Sequence, residues 1–188
     1  MKYHMPRTRL YSGVTLIELL VVLALVGLLS SIAIPSYRHM MVSSRSSNLA
    51  SSLHSTILLA RSEALKRGAR IVLCKSSNAD SPAATCDLAP APLGWAQGWI
   101  LFVDDNNNSN KEPAEVLIRV QGQILKDTTE GSILPSNGAN FVAFNTTGQV
   151  AVPVNFVVAG PSDYSALDRA VCIGIGGRAR IGKAPTCS

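Results

Sequence analysis

The sequence predicts an α+β protein: one long N-terminal α-helix, apolar in its first half and amphipathic in its second, packed on a mainly antiparallel β-sheet domain. Three observations carry that expectation. Residues 14–35 read VTLIELLVVLALVGLLSSIAIP, with Glu18 as the one ionisable side chain. Beyond Pro35, the residues Leu49, Leu53, Ile57, Ala60 and Ala64 recur every three or four positions, which is helical periodicity. After Gly68 the pattern shifts to short period-two runs separated by turn residues, which is strand periodicity.

The apolar run comes first. About 20 helical residues at 1.5 Å rise reach roughly 30 Å, the thickness of a bilayer's hydrocarbon core. Three of the 17 basic residues, Lys2, Arg7 and Arg9, precede the run with no acid among them, which leaves 14 basic against 12 acidic residues beyond it. The upstream charges hold the N-terminus in the cytoplasm, so everything after Pro35 is expected in the periplasm or outside. That near balance gives no general argument for a nucleic-acid partner. The run is longer than the apolar stretch of about 7–15 residues in a cleaved signal peptide, and it continues into a polar helix. Length alone does not separate it from a plain signal anchor.

Glu18 does. A charged residue inside hydrocarbon costs about 2.5–3.5 kcal/mol near a helix centre on insertion scales. The run holds no basic residue to answer it. Cleavage between Gly13 and Val14 would free an α-amino group at Val14, and that amine could meet the Glu18 carboxylate of a neighbouring subunit. The alternative is a glutamate that snorkels to the cytoplasmic headgroups.

The segment Ser12-Gly13-Val14-Thr15-Leu16-Ile17-Glu18-Leu19-Leu20 closely resembles the processing site of type IV prepilins and type II secretion pseudopilins. The resemblance implies that a membrane prepilin peptidase cuts after Gly13 and methylates Val14, and that Glu18 is the assembly glutamate. The family usually begins its mature chain with Phe or Met, and Val14 departs from that. The resemblance further implies a kink at Pro35, where proline interrupts the backbone ladder. It divides the chain into a cleaved basic leader (1–13), a transmembrane and fibre-core helix (14–35), an amphipathic stalk helix (36–68) and a periplasmic β-rich head with a C-terminal basic ribbon (69–188).

In the head, residues 70–74, 99–103, 116–120, 141–144 and 171–175 read as strands, and 76–93, rich in Ala, Pro and Ser, reads as a loop. The pattern Trp95-x-x-Gly98-Trp99-Ile100-x-Phe102-Val103-Asp104, then an Asn-rich turn and Glu115-Val116-Leu117-Ile118-Arg119, is similar to the GspH/FimT branch. So is a cysteine followed closely by Gly-Arg-x-Arg. FimT- and FimU-like minor pilins resemble the chain most, which implies a subunit that assembles into or primes a type IV pilus. The alternative is a GspH-like pseudopilin of a type II secretion machine. The implied partners are other pilins or pseudopilins, the prepilin peptidase and the inner membrane.

Cys74, Cys86, Cys172 and Cys187 all follow the apolar run and lack the close paired spacing of a zinc site, so two disulfides in an oxidising compartment fit better. Of three connectivities, the sequence-local one, Cys74–Cys86 with Cys172–Cys187, is simplest.

Two constellations are candidate sites. Asp104, Asn106, Asn108 and Glu115 occupy the first, third, fifth and twelfth positions of a calcium loop, but Ser109 stands where the turn favours glycine, and an Asn-rich β-turn explains the same residues. From Arg169 to Ser188 there are four basic residues, Arg169, Arg178, Arg180 and Lys183, and no acid. If residues 177–181 are extended, Arg178 and Arg180 project from one face. Such a ribbon could neutralise DNA phosphates without reading bases, and FimT-like relatives are known to use this Gly-Arg-x-Arg element for DNA uptake. The alternative is a charged edge strand that blocks aggregation, or arginines that pair with a neighbouring pilin. No nucleophile–base pair, phosphate loop or paired carboxylates point to catalysis, so neither an enzyme nor a cofactor is expected. His39 and His54, on the stalk helix, read as satisfied or solvent-facing.

Overall fold

The computed structural model describes residues 13–187. The leader residues Lys2, Arg7, Arg9 and Ser12 lie outside the described residues. Two compact units divide the chain, the first ending at His39 and the second beginning at Met40.

Helix α1, Leu16–Arg67, is 52 residues long and holds Pro35 within it. Its start is set by Thr15, whose Oγ1 accepts the Glu18 backbone N–H at 3.3 Å. Thr-x-x-Glu is the sequence of a capping box, and an acid in the first turn also complements the positive end of the helix. The helix ends at Gly68, which takes φ +60, the left-handed conformation that closes helices at low cost. In the last turn Arg67 pairs with Glu63 one turn earlier, and its guanidinium holds that carboxyl below its ordinary value.

In the second unit, α1 buries Leu49, Leu53, Ile57, Ala60 and Ala64, the predicted stripe, together with Ser46, Ala50 and Thr56. They pack on two four-stranded antiparallel sheets instead of the one sheet expected. The first joins β1 (Ile71–Lys75), β2 (Trp99–Val103), β3 (Leu117–Gln121) and β5 (Phe141–Phe144) in the order β3-β2-β1-β5. The second joins β4 (Ser132–Pro135), β6 (Val154–Ala159), β7 (Arg169–Ile173) and β8 (Ala179–Lys183) in the order β4-β6-β7-β8.

Strands β1 and β2 are buried throughout, which explains their unbroken apolar sequences. Ile71, Leu73, Trp99, Leu101 and Val103 face the core under the helix. Val72, Ile100 and Phe102 face a second cluster beneath the 76–93 loop, together with Ala79 and Ala84. The Cys74–Cys86 disulfide ties that loop to β1. Lys75, 1% exposed, closes the strand: its ammonium donates to the Ala89 carbonyl and lies 3.9 Å from the Asp87 carboxylate. A buried amine needs such partners.

The two tryptophans join the layers. Trp99 Nε1 donates to Thr56 Oγ1 on α1 at 3.3 Å, and Trp95 Nε1 donates to the Ala139 carbonyl at 3.0 Å. The Trp95 ring meets Phe156 of β6 edge-on, with centroids 4.9 Å apart at 75°.

Candidate functional site

Of the N-terminal residues, Gly13 and Val14 precede the helix and Glu18 occupies its first turn. Around them the apolar side chains find no cover among the described residues: Leu16 is 78% exposed, Leu29 69% and Ile32 73%. A helix that is apolar on every side is built to be buried by something beyond its own chain. Glu18 is exposed in the same stretch, with its backbone N–H satisfied by Thr15.

The basic ribbon is the hairpin of β7 and β8, the latter being a sheet edge. Its register pairs Arg169 with Lys183, Val171 with Ile181 and Cys172 with Arg180. The ladder continues one step to Arg178, whose carbonyl accepts the Gly174 N–H. Because side chains alternate along a strand, Arg178 and Arg180 share one face with Cys172. Arg169 and Lys183 stand opposite each other on the other face, with Val171 and the core side. The expected four-residue ribbon is therefore two pairs back to back. The Cys172–Cys187 disulfide staples the C-terminal segment over the face that carries Arg180: a Cβ on Gly182 would lie 2.8 Å from the Cys187 Cα. Arg178, Arg180 and Lys183 are exposed and Arg169 is half-buried. Among the described residues none of the four has an acid within salt-bridge distance.

Arg178 and Arg180 border a groove of about 540 Å³ together with the Gly174 and Gly176 turn and, from α1, Leu58 and Arg61. Arg61 lies outside the apolar stripe of the helix. Nothing local in the sequence marks it, because it reaches the groove through contacts more than 80 residues away (Gly148 and Gly177).

The Asn-rich segment folds as a tight turn. Asp104, 2% exposed, accepts the Asn108 N–H at 3.1 Å and the Ser109 N–H at 3.0 Å. Asn106 Oδ1 also accepts from Asn108, and Glu115 accepts the Asp105 and Glu112 N–H groups at 3.1 and 2.9 Å. Asn107 and Ser109 take φ +61 and +62, so Ser109 adopts the left-handed turn that glycine would. The cation on Asp104 is the Arg70 guanidinium, which also donates to Ser109 Oγ at 2.7 Å. No cluster of three metal-ligating side chains exists among the described residues. His54 is satisfied: its Nε2 lies 3.3 Å from the Ala179 carbonyl oxygen.

A membrane-length helix with its apolar surface uncovered, followed by a helix-backed antiparallel head closed by two disulfides, defines a pilin-like subunit. A family model described as "Type II transport protein GspH" matches residues 49–177, and the prokaryotic N-terminal methylation motif matches residues 8–34. The chain belongs to the GspH family, in the GspH/FimT branch of type IV pilin-like proteins. Crystal structures of the type IV minor pilin FimU of Pseudomonas aeruginosa share its fold in two crystal forms, each with a TM-score of 0.52 and 16% identity. The alignments cover 74% and 75% of this chain and 88% and 98% of FimU. No curated protein matches the chain. Assembly with other pilins and processing by a prepilin peptidase come with the family. The methylation motif and the apolar helix make the first unit an inner-membrane anchor with a periplasmic head.

Proposed function

We propose that the chain is a minor pilin that enters or primes a type IV pilus, and that its Arg178–Arg180 edge binds DNA for uptake. The observation that carries the assembly reading is the uncovered apolar surface of α1 with Glu18 in its first turn. After cleavage at Gly13, the Val14 amine of one subunit answers the Glu18 carboxylate of the next and sets the register. Pro35 is where the helix bends on leaving the bilayer. Replacing Glu18 by Ala should leave insertion and cleavage intact and deplete the subunit from purified fibres. Normal incorporation would count against the mechanism, and an intact Met1 in protein from the native host would end the reading of cleavage and amine-to-Glu18 pairing.

The DNA reading is supported by the free-edge position of Arg178 and Arg180, their exposure and their lack of acidic partners. Guanidinium groups spaced along an edge can neutralise phosphates regardless of base sequence. Arg169 and Lys183, on the other face, contribute to the general positive field. A mobility-shift titration of wild type against Arg178→Ala/Arg180→Ala tests it; equal binding removes this edge from the account.

A second reading, a pseudopilin of a type II secretion machine, is favoured by the description of the matching family. Deletion in the native host separates the two: loss of surface pili supports the first, and loss of secreted proteins with normal pili supports the second.

A further inference from the structure

We propose that Arg61, on α1, is a third anion-binding residue of the groove bordered by Arg178 and Arg180, so that DNA is gripped between the helix and the hairpin edge and not by the edge alone. The inference rests on the DNA-binding reading above and adds a residue that lies outside the Gly-Arg-x-Arg segment.

Three observations point there. First, the stem of Arg61 is led to the groove by two glycines on different turns. Its Cγ lies 3.0 Å from the position of a Cβ on Gly148, and its Cδ lies 3.4 Å from that of a Cβ on Gly177. Both glycines have φ +70, so neither position suits a side chain. The two turns meet behind the groove, where the Val150 N–H donates to the Ile175 carbonyl at 3.0 Å. Second, the Arg61 Nε is buried and has no hydrogen-bond partner among the described residues. Leaving a buried donor unmet costs free energy, which strong acceptors for the rest of the guanidinium help offset. Third, among the described residues no acid lies within salt-bridge distance of Arg61, Arg178 or Arg180, whereas Arg67, six residues further along the same helix, is paired with Glu63. Unneutralised arginines that share one groove repel one another, and a row of phosphates relieves that repulsion. Phosphate oxygens also suit the planar, forked donors of arginine.

The test is binding of a short mixed-sequence DNA duplex by the full chain in detergent, titrated over a range of salt concentrations. Losing one phosphate contact lowers the steepness of log K against log salt by about 0.9. Arg61→Gln should weaken binding several-fold with that loss of slope, Arg61→Lys should recover the slope, and Arg67→Gln should leave both unchanged. Near-wild-type thermal unfolding is required of each variant. If Arg61→Gln unfolds, Arg61→Lys still tests the proposal, through protection of residue 61 from amine-specific labelling by bound duplex. Wild-type binding with an Arg61→Gln variant that binds equally overturns this inference alone. So does an Arg67→Gln loss as large as the Arg61→Gln loss, which would reduce the effect to net charge. A wild-type chain that fails to bind duplex overturns the DNA reading and this inference together.

Discussion

The Gly148 carbonyl oxygen lies 1.9 Å from where a Cβ on Gly177 would stand. The glycine that opens Gly177-Arg178-Ala179-Arg180 is therefore set by packing: it lets the hairpin turn of the second sheet close against the turn that follows β5. The arginines behind it are aimed by that contact.

Replacing Gly177 by Ala should consequently destabilise the head by more than about 2 kcal/mol, since a left-handed alanine alone costs roughly 1–2 kcal/mol and the backbone contact adds to it. Gly174→Ala, three residues earlier with nothing within 4 Å of its Cβ, should stay within about 0.5 kcal/mol of wild type. Thermal unfolding followed by fluorescence of the buried Trp95 and Trp99 reads both. Equal losses would show that the close approach is not what requires the glycine.

Arg169 and Lys183 are like charges directly opposite in the β7–β8 ladder. Cross-strand pairs contribute roughly 0.2–1 kcal/mol, with like charges unfavourable. Lys183→Glu should therefore raise the melting temperature slightly, and Lys183→Gln should lower duplex affinity far less than Arg178→Gln. A drop in stability for Lys183→Glu would mean that the two side chains diverge or have found other partners.

The Cys172–Cys187 bridge spans 15 residues, a loop worth about 3 kcal/mol in the chain-entropy model. Cys172→Ser/Cys187→Ser should lose about that much and should free the C-terminal segment from β8. Proteolysis near Thr186 would be the sensitive readout, and unchanged protection would argue that the segment is held without its disulfide.

Phe156 is fully buried with its ring against Trp95. Phe156→Ala should cost about 3–5 kcal/mol, with a shift of the tryptophan emission to longer wavelength. A variant that unfolds at the wild-type temperature would refute the packing described for β6.

The Asn-rich turn should be indifferent to calcium, because backbone amides and the Arg70 guanidinium already occupy the Asp104 oxygens. Millimolar calcium and a chelator should give the same melting temperature. A rise with calcium would reveal binding by mass action and would require Arg70 to move aside.

Much of this fold was legible in the sequence because its signals are local. The stripe from Leu49 to Ala64 and the end at Gly68 follow from helical spacing and one left-handed residue. The strands at 71–75 and 99–103 follow from unbroken apolar runs. The strands at 132–135 and 154–159 were missed, since Pro135 ends the first and Pro153 and Gly160 bracket the second, so that each looked like loop. Proline is tolerated in β4 because that strand is an edge. The division of the basic residues between two faces depends on register, and register depends on the hairpin turn. Arg61 was beyond reach for a different reason: helical position says which way a side chain leaves its helix, not which distant turn will make room for it.

The first half of α1 has one further implication. Its leucines and valines are no more sheltered in water-free lipid than in a bundle of identical helices, so exchanging one apolar setting for the other releases little solvent-driven energy. On the assembly proposed above, subunits can therefore be kept in reserve within the membrane sheet and drawn out reversibly. The choice of neighbour then falls to close-fitting surfaces and to the few polar atoms along the helix, of which the Glu18 carboxylate is the most demanding.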